Sequence, residues 1–371
     1  MSHLRSLYFG GALEAISQKT LKAFQEHRPS EIIWNITSRC NLKCRHCYAD
    51  CDLNTLPQEL SHTEALNLLD QMAEAGVPLL FVTGGEPMTR PDFWELLARA
   101  QTHGIRVVLS TNAILIDDAA ADRLVTYDVD YVATSLYGPP AFHDEYVGVP
   151  GSWVKTTSAV KRLQKRGVKV GIKTTVTTST LPYFYEVWQT AKDLGCGLLY
   201  ACDLVETGRA GSAAFATAGR ESRISQAEWR QLADFMIDDI LKDPYHGMEY
   251  DIGALPSIAI YAQKKLQKLG IDVKKGVDRM KIKSACPVGK GLMGINAEGG
   301  ILPCSFVQDL TVGNVRELGI RGGADKLFEI GRTPVEGSCG PCEAAELCRG
   351  CRVKAWHDGN LMGGDRTCIL A

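Results

Sequence analysis

Four cysteines fall within residues 38–52, "SRCNLKCRHCYADCD". Three of them, Cys40, Cys44 and Cys47, follow a C-x3-C-x2-C spacing, with the aromatic Tyr48 directly after the third. A closed structural zinc site asks for four ligands, usually from two C-x2-C pairs. Three thiolates suit a [4Fe–4S] cluster with one iron left open to a substrate or cofactor. Zinc and a coincidental grouping are the other readings of the spacing. A second cysteine-rich stretch closes the chain. Cys286 is followed by Gly299 and Cys304, then by Cys339-x2-Cys342-x5-Cys348-x2-Cys351 and finally Cys368. Seven thiols in 83 residues are too many for one zinc ion, although a zinc ribbon built from the C-x2-C pairs is the alternative.

The total of 13 cysteines is odd, and the N-terminus lacks a secretory apolar region and cleavage site. A disulfide framework therefore does not fit, and clustered reduced thiols indicate metal or iron–sulfur binding in a cytoplasmic protein. The formal net charge is −2 with no basic block, which argues against a nucleic-acid partner. No run of about 18 apolar residues is present, so no membrane span is expected.

The elements that must position these groups begin after residue 31. "IIWNIT" (32–37), "PLLFVT" (78–83), "IRVVLS" (105–110), "VDYVATS" (129–135), "KVGIKTTV" (169–176) and "GLLYACD" (197–203) read as strands. Helical patterns alternate with them at 61–76, 91–104, 117–128, 152–167 and 181–195, and a last helix follows at 225–243. Ser61 and Glu64 are spaced as a capping box, with Gly76 as the stop. Six β/α units with continuous apolar strands predict a parallel sheet, either doubly wound or closed into a partial or complete barrel. Chemistry then collects on the loops after the strands' C-terminal ends, where the first cysteine loop lies. "FVTGGEPMTR" (81–90) follows the second strand on the same rim, and its Gly84-Gly85-Glu86 offers close backbone approach and a carboxylate for a cation. Alone, it reads equally as an ordinary strand-to-helix turn. The expected organisation is an N-terminal extension (1–31), the barrel (32–243, with a small-residue linker at 208–222), a connecting segment with one helix (244–285) and a second domain (286–371).

"CNLKCRHC" followed by "GGEP" resembles the radical S-adenosylmethionine (AdoMet) enzymes, over roughly residues 30–205. The resemblance implies a partial (β/α)6 TIM-like barrel. It implies a [4Fe–4S] cluster on Cys40, Cys44 and Cys47 whose open iron chelates AdoMet, and hydrogen abstraction by a 5′-deoxyadenosyl radical. By the same resemblance Tyr48 lies beside AdoMet, and Gly84, Gly85 and Glu86 meet its amino group. Ser110, Thr111, Asn112 and Ser135 occupy rim positions that contact it. Cys51 lies outside the motif, as a bystander. Two positions depart from the family pattern. Tyr137 stands where many relatives have Asp, and Val147 where an Arg binds the AdoMet carboxylate. Lys173, on the fifth strand, is the candidate replacement, an exposed strand lysine being the plain alternative.

The C-terminal cysteines are similar to the SPASM extension of that family, except that the last internal spacer is x2. The resemblance implies two auxiliary [4Fe–4S] clusters, one on Cys286, Cys304 and Cys351 and one on Cys339, Cys342, Cys348 and Cys368. The first then shows only three thiolates, leaving its fourth ligand to a non-cysteine residue, water, substrate, or Cys202, the nearer to the mouth of the two cysteines, Cys196 and Cys202, that flank the sixth strand. Such clusters suit net oxidations, fed by a ferredoxin- or flavodoxin-type donor. The ending "CGPCEAAELCRGCRVKAW" and "LVETGRAG" (204–211) look most like the branch that modifies heme and heme d1 precursors, so the expected substrate is a tetrapyrrole. A ribosomal peptide or protein side chain is the alternative, although the 31 leading residues are too few for the usual peptide-recognition domain. A non-catalytic iron–sulfur carrier is a reading of a different class, which the G-G-E-P turn disfavours.

Overall fold

A computed structural model of the chain describes residues 3–9, 18–53, 58–212 and 222–370. Residues 213–221 of the expected linker lie outside them. The six expected strands form in order: β1 Glu31–Asn35, β2 Leu79–Thr83, β3 Arg106–Ser110, β4 Tyr131–Ser135, β5 Val170–Val176 and β6 Leu198–Asp203. Each pairs in parallel with the next. The helices between them form where the apolar stripes and caps dictate. The helix His62–Glu74 starts on the expected capping box, in which Glu64 N–H donates to Ser61 Oγ (3.3 Å) and Ser61 N–H donates to Glu64 Oε2 (2.8 Å). It buries Ala65, Leu68, Leu69 and Met72 against the sheet's outer face.

The sheet is wider than six strands. Its order is β10-β9-β8-β1-β2-β3-β4-β5-β6-β7. The segment read as a connection contains β7, Glu249–Gly253, parallel to β6. Its sequence, EYDIG, hides the strand because the acids Glu249 and Asp251 alternate with Tyr250 and Ile252 where the other strands run apolar. From the cysteine-rich stretch, β8 (Leu292–Ile295) pairs in parallel with the free side of β1. The antiparallel β9 (Gly300–Leu302) and β10 (Gly313–Asn314) extend it.

Outward strand residues such as Trp34, Leu80, Leu109, Val132 and Leu199 join one apolar core with the helices. The inward face is more polar. Register sets Lys173, Tyr200 and Asp251 side by side on β5, β6 and β7, all lining the lumen. At the opposite end from the cysteine loop, the carboxylate of Glu249 accepts from the backbone N–H groups of Arg5 (2.7 Å) and Ser6 (2.9 Å) in the helix Leu4–Phe9. Among the described residues no helix is long and apolar enough to cross a membrane.

Candidate active site

The loop carrying Cys40, Cys44 and Cys47 leaves β1 and is held by backbone hydrogen bonds with the turn after β2 and with the end of the helix Pro140–Val147. Gly85 N–H donates to Thr37 O (2.8 Å) and Glu86 N–H to Arg39 O (2.8 Å). On the other side Lys43 N–H donates to Val147 O (2.9 Å) and Arg45 N–H to Tyr146 O (3.1 Å). Close approach explains both glycines. A Cβ on Gly84 would stand 2.4 Å from Thr37 O, and one on Gly85 2.2 Å from Arg39 O. Val147, where the family pattern expects an Arg, instead packs with Leu42, Tyr137 and Tyr146 beneath Cys40 and Cys44.

Glu86 is fully buried. Its carboxylate accepts from Thr111 Oγ1 (2.8 Å), Asn112 N–H (2.8 Å) and Met88 N–H (3.1 Å), tying the loop after β2 to the loop after β3. Burial nevertheless raises its pKa to about 7. The other expected AdoMet-side residues do come together. Tyr48, Gly84, Gly85, Ser110, Thr111, Asn112, Ser135 and Lys173 all line one cavity with the three cysteines. Tyr48 donates to Asn35 Oδ1 (3.1 Å) and meets Phe306 edge-on, with ring centroids 5.1 Å apart. Lys173 is no exposed strand lysine. Its Nζ donates to Ser110 Oγ (2.7 Å), and burial lowers its pKa to about 8.

That cavity, of about 1130 Å³, continues to Cys286, Cys304 and Cys351 on the facing side. Cys202 lines it too, with its thiol donating to Asp203 O (3.3 Å). Cys339, Cys342, Cys348 and Cys368 stay outside it. Cys368 is near enough to Cys348 and Cys339 for their charges to interact, and Cys342 is exposed. The cysteines are all free thiols. Burial pushes Cys40 up to about 12 and Cys44 higher still, so apolar surroundings oppose bare thiolates until a cation compensates them. Among the described residues no three donor side chains stand close enough to share a single metal ion. A four-iron cluster asks for less, one thiolate per iron, and the donor chemistry of the loop fits it.

Three residues near the loop escaped the sequence reading or were given no role. Cys51 is buried at the end of the loop, its thiol donating to Ala49 O (3.6 Å). His46 stacks on Tyr146 with ring centroids 5.1 Å apart, and burial lowers its pKa to about 3. Arg209, in the "LVETGRAG" stretch, reaches three backbone carbonyls of the loop. Their signal is spatial: none belongs to the C-x3-C-x2-C pattern.

A family model described as the radical SAM superfamily matches residues 34–194, which take in the cysteine loop and the G-G-E-P turn. An AdoMet-dependent heme synthase of Oleidesulfovibrio alaskensis is 33% identical over 91% of this chain and 86% of its own length. The chain belongs to the radical SAM superfamily. This radical SAM enzyme is also 30% identical to a pre-heme d1 synthase of Dinoroseobacter shibae, over 91% of this chain and 86% of that one. Its fold is that of Streptococcus suis SuiB, solved bound to S-adenosylmethionine, at a TM-score of 0.72 and 18% identity over 95% of this chain and 81% of that chain. Radical SAM membership carries a [4Fe–4S] cluster and AdoMet as cofactors, and it excludes the plain electron-carrier reading.

Proposed function

We propose that this radical SAM enzyme oxidatively modifies a tetrapyrrole, a heme or heme d1 precursor. The observation that carries the proposal is near-full-length similarity to relatives named heme synthase and pre-heme d1 synthase. The single cavity between the two sets of cysteines supports it, since one volume there serves both AdoMet and a large substrate. Cys40, Cys44 and Cys47 would hold a [4Fe–4S] cluster, which would supply the electron for reductive cleavage of AdoMet. The chain's own residues do the rest. Tyr48, Gly84, Gly85, Asn112 and Ser135 shape the AdoMet pocket, and Glu86 holds the β2 and β3 loops in register. Cys286, Cys304 and Cys351 hold one auxiliary cluster at the cavity wall. Cys339, Cys342, Cys348 and Cys368 hold a second, nearer the surface, where a ferredoxin- or flavodoxin-type donor can deliver electrons. The barrel (32–243), the connecting segment (244–285) and the auxiliary-cluster domain (286–371) are its proposed divisions, although one sheet runs through all three.

The test is anaerobic incubation with AdoMet, a reductant and candidate tetrapyrroles. The expected result is 5′-deoxyadenosine formation that depends on a tetrapyrrole, together with a mass change in it. Turnover with a ribosomal peptide and none with any tetrapyrrole overturns the proposal.

Lys173 supplies the cation for the AdoMet carboxylate in place of the missing Arg. A charge-assisted hydrogen bond contributes about 1.5–3 kcal/mol. Lys173→Met is therefore expected to weaken AdoMet binding about tenfold to a hundredfold, measured by equilibrium dialysis. Its lowered pKa gives the sign with pH: the ammonium is present below about 8 and lost above it. Affinity should fall as pH rises through that value in the wild type and stay level in the variant. A variant with wild-type affinity removes Lys173 from the site.

A further inference from the structure

Arg209 reaches the cysteine loop from the turn that follows β6. Its backbone N–H donates to Cys47 O (2.9 Å). Its Nε donates to Cys44 O (2.8 Å), and its Nη1 to Cys51 O (3.0 Å) and Asp50 Oδ1 (3.0 Å). The turn can press this closely because Gly208, at φ +56°, has no Cβ. One built there would lie 2.4 Å from the carbonyl oxygens of Cys47 and Tyr48. Other charges also surround the loop: half-buried Arg39 and Asp52, exposed Lys43, Arg45 paired with Glu145, and largely exposed Asp50 lie on it, while Glu59 accepts from Ser38 N–H (2.8 Å) and Glu86 is buried nearby.

We propose that Arg209 is a positioning residue for the radical cluster. Its fork fixes the loop that presents the three cysteines, and its charge raises the potential at which a cluster there accepts an electron. The inference rests on the cluster-binding role of Cys40, Cys44 and Cys47. One-electron reduction adds one negative charge to a cluster already held by thiolates, and a nearby cation stabilises the reduced form more than the oxidised one. Asp50 opposes it. Neutralising Arg209 leaves Asp50 uncompensated, so both contributions shift the potential the same way.

The experiment is an anaerobic dithionite titration of the reconstituted full-length protein. The radical cluster is followed by the part of the electron paramagnetic resonance signal that changes on adding AdoMet. Arg209→Gln is expected to shift that potential to more negative values, and Asp50→Asn to less negative ones. Arg209→Lys keeps the charge but loses the fork. It should retain a near-native potential while losing iron faster to a chelator. If Arg209→Gln fails to load the cluster, the fixing role is supported, and Asp50→Asn alone decides the charge role. Wild-type potentials in both Arg209→Gln and Asp50→Asn, with iron fully retained, overturn the inference. An AdoMet-responsive signal missing from the wild type would instead sink the cluster assignment itself, which keeps the two failures apart.

Discussion

Replacing Cys40, Cys44 and Cys47 together by alanine is expected to reduce 5′-deoxyadenosine formation to background while the C-terminal clusters survive. The three thiols sit in one cavity wall, and Cys51, the remaining thiol of the loop, does not line that cavity. The loop itself should persist. Its position depends on backbone hydrogen bonds from Gly85, Glu86, Lys43, Arg45 and Arg209, none of which uses a cysteine side chain. Iron content should fall from about twelve to about eight per chain, at four irons per cluster. AdoMet cleavage at the wild-type rate would refute the assignment. About four irons with stoichiometric zinc in the wild type would instead make the C-terminal cysteines a zinc site.

The second large effect is expected at Lys354, in the helix Arg352–His357 just after Cys351. Its ammonium contacts Asp203 Oδ2 at the end of β6, and the two side chains are only 5% and 2% exposed. Lys354 also donates to Thr367 Oγ1 (3.1 Å), and Trp229 Nε1 donates to Asp203 Oδ1 (2.9 Å). This buried ion pair joins the barrel to the cysteine-rich region. Lys354→Met strands the Asp203 charge and should cost about 3–5 kcal/mol in urea unfolding. Removing both charges is far gentler when the remaining hydrogen bond is kept. The double variant Asp203→Asn, Lys354→Met preserves an acceptor for Trp229 and should recover more than half of the loss. Equal losses in the single and double variants would show that the contact contributes packing rather than charge compensation.

Most of what the sequence made legible was local. The cysteine spacing, the capping box at Ser61, the six apolar strands and the glycines of the G-G-E-P turn each carry their signal within a few residues. What stayed hidden depends on partners distant in the chain. β7 was missed because a strand that faces a polar lumen alternates acids with apolar residues. The contribution of β8 to the sheet depends on its pairing with β1, which no local pattern announces. The partners of Glu86, Thr111 and Asn112, belong to the next β/α unit and carry no local signal. Lys173 was recognised as a candidate cation, but only the fold shows it buried against Ser110. Arg209 lay in a stretch noted for resemblance alone, and its contacts with the loop span some 160 residues of chain.

The pairing of β1 with β8 has a consequence for biosynthesis. The strand that launches the cysteine loop is made near the start of the chain, yet one of its two neighbours is among the last strands made. Leu292 leaves the ribosome 257 residues after Asn35, a wait of roughly 13–50 s at about 5–20 residues per second. Throughout that interval one edge of β1 has unpaired N–H and C=O groups, an invitation to wrong strand partners. The nascent barrel thus carries that open edge until its own C-terminal region arrives to close it.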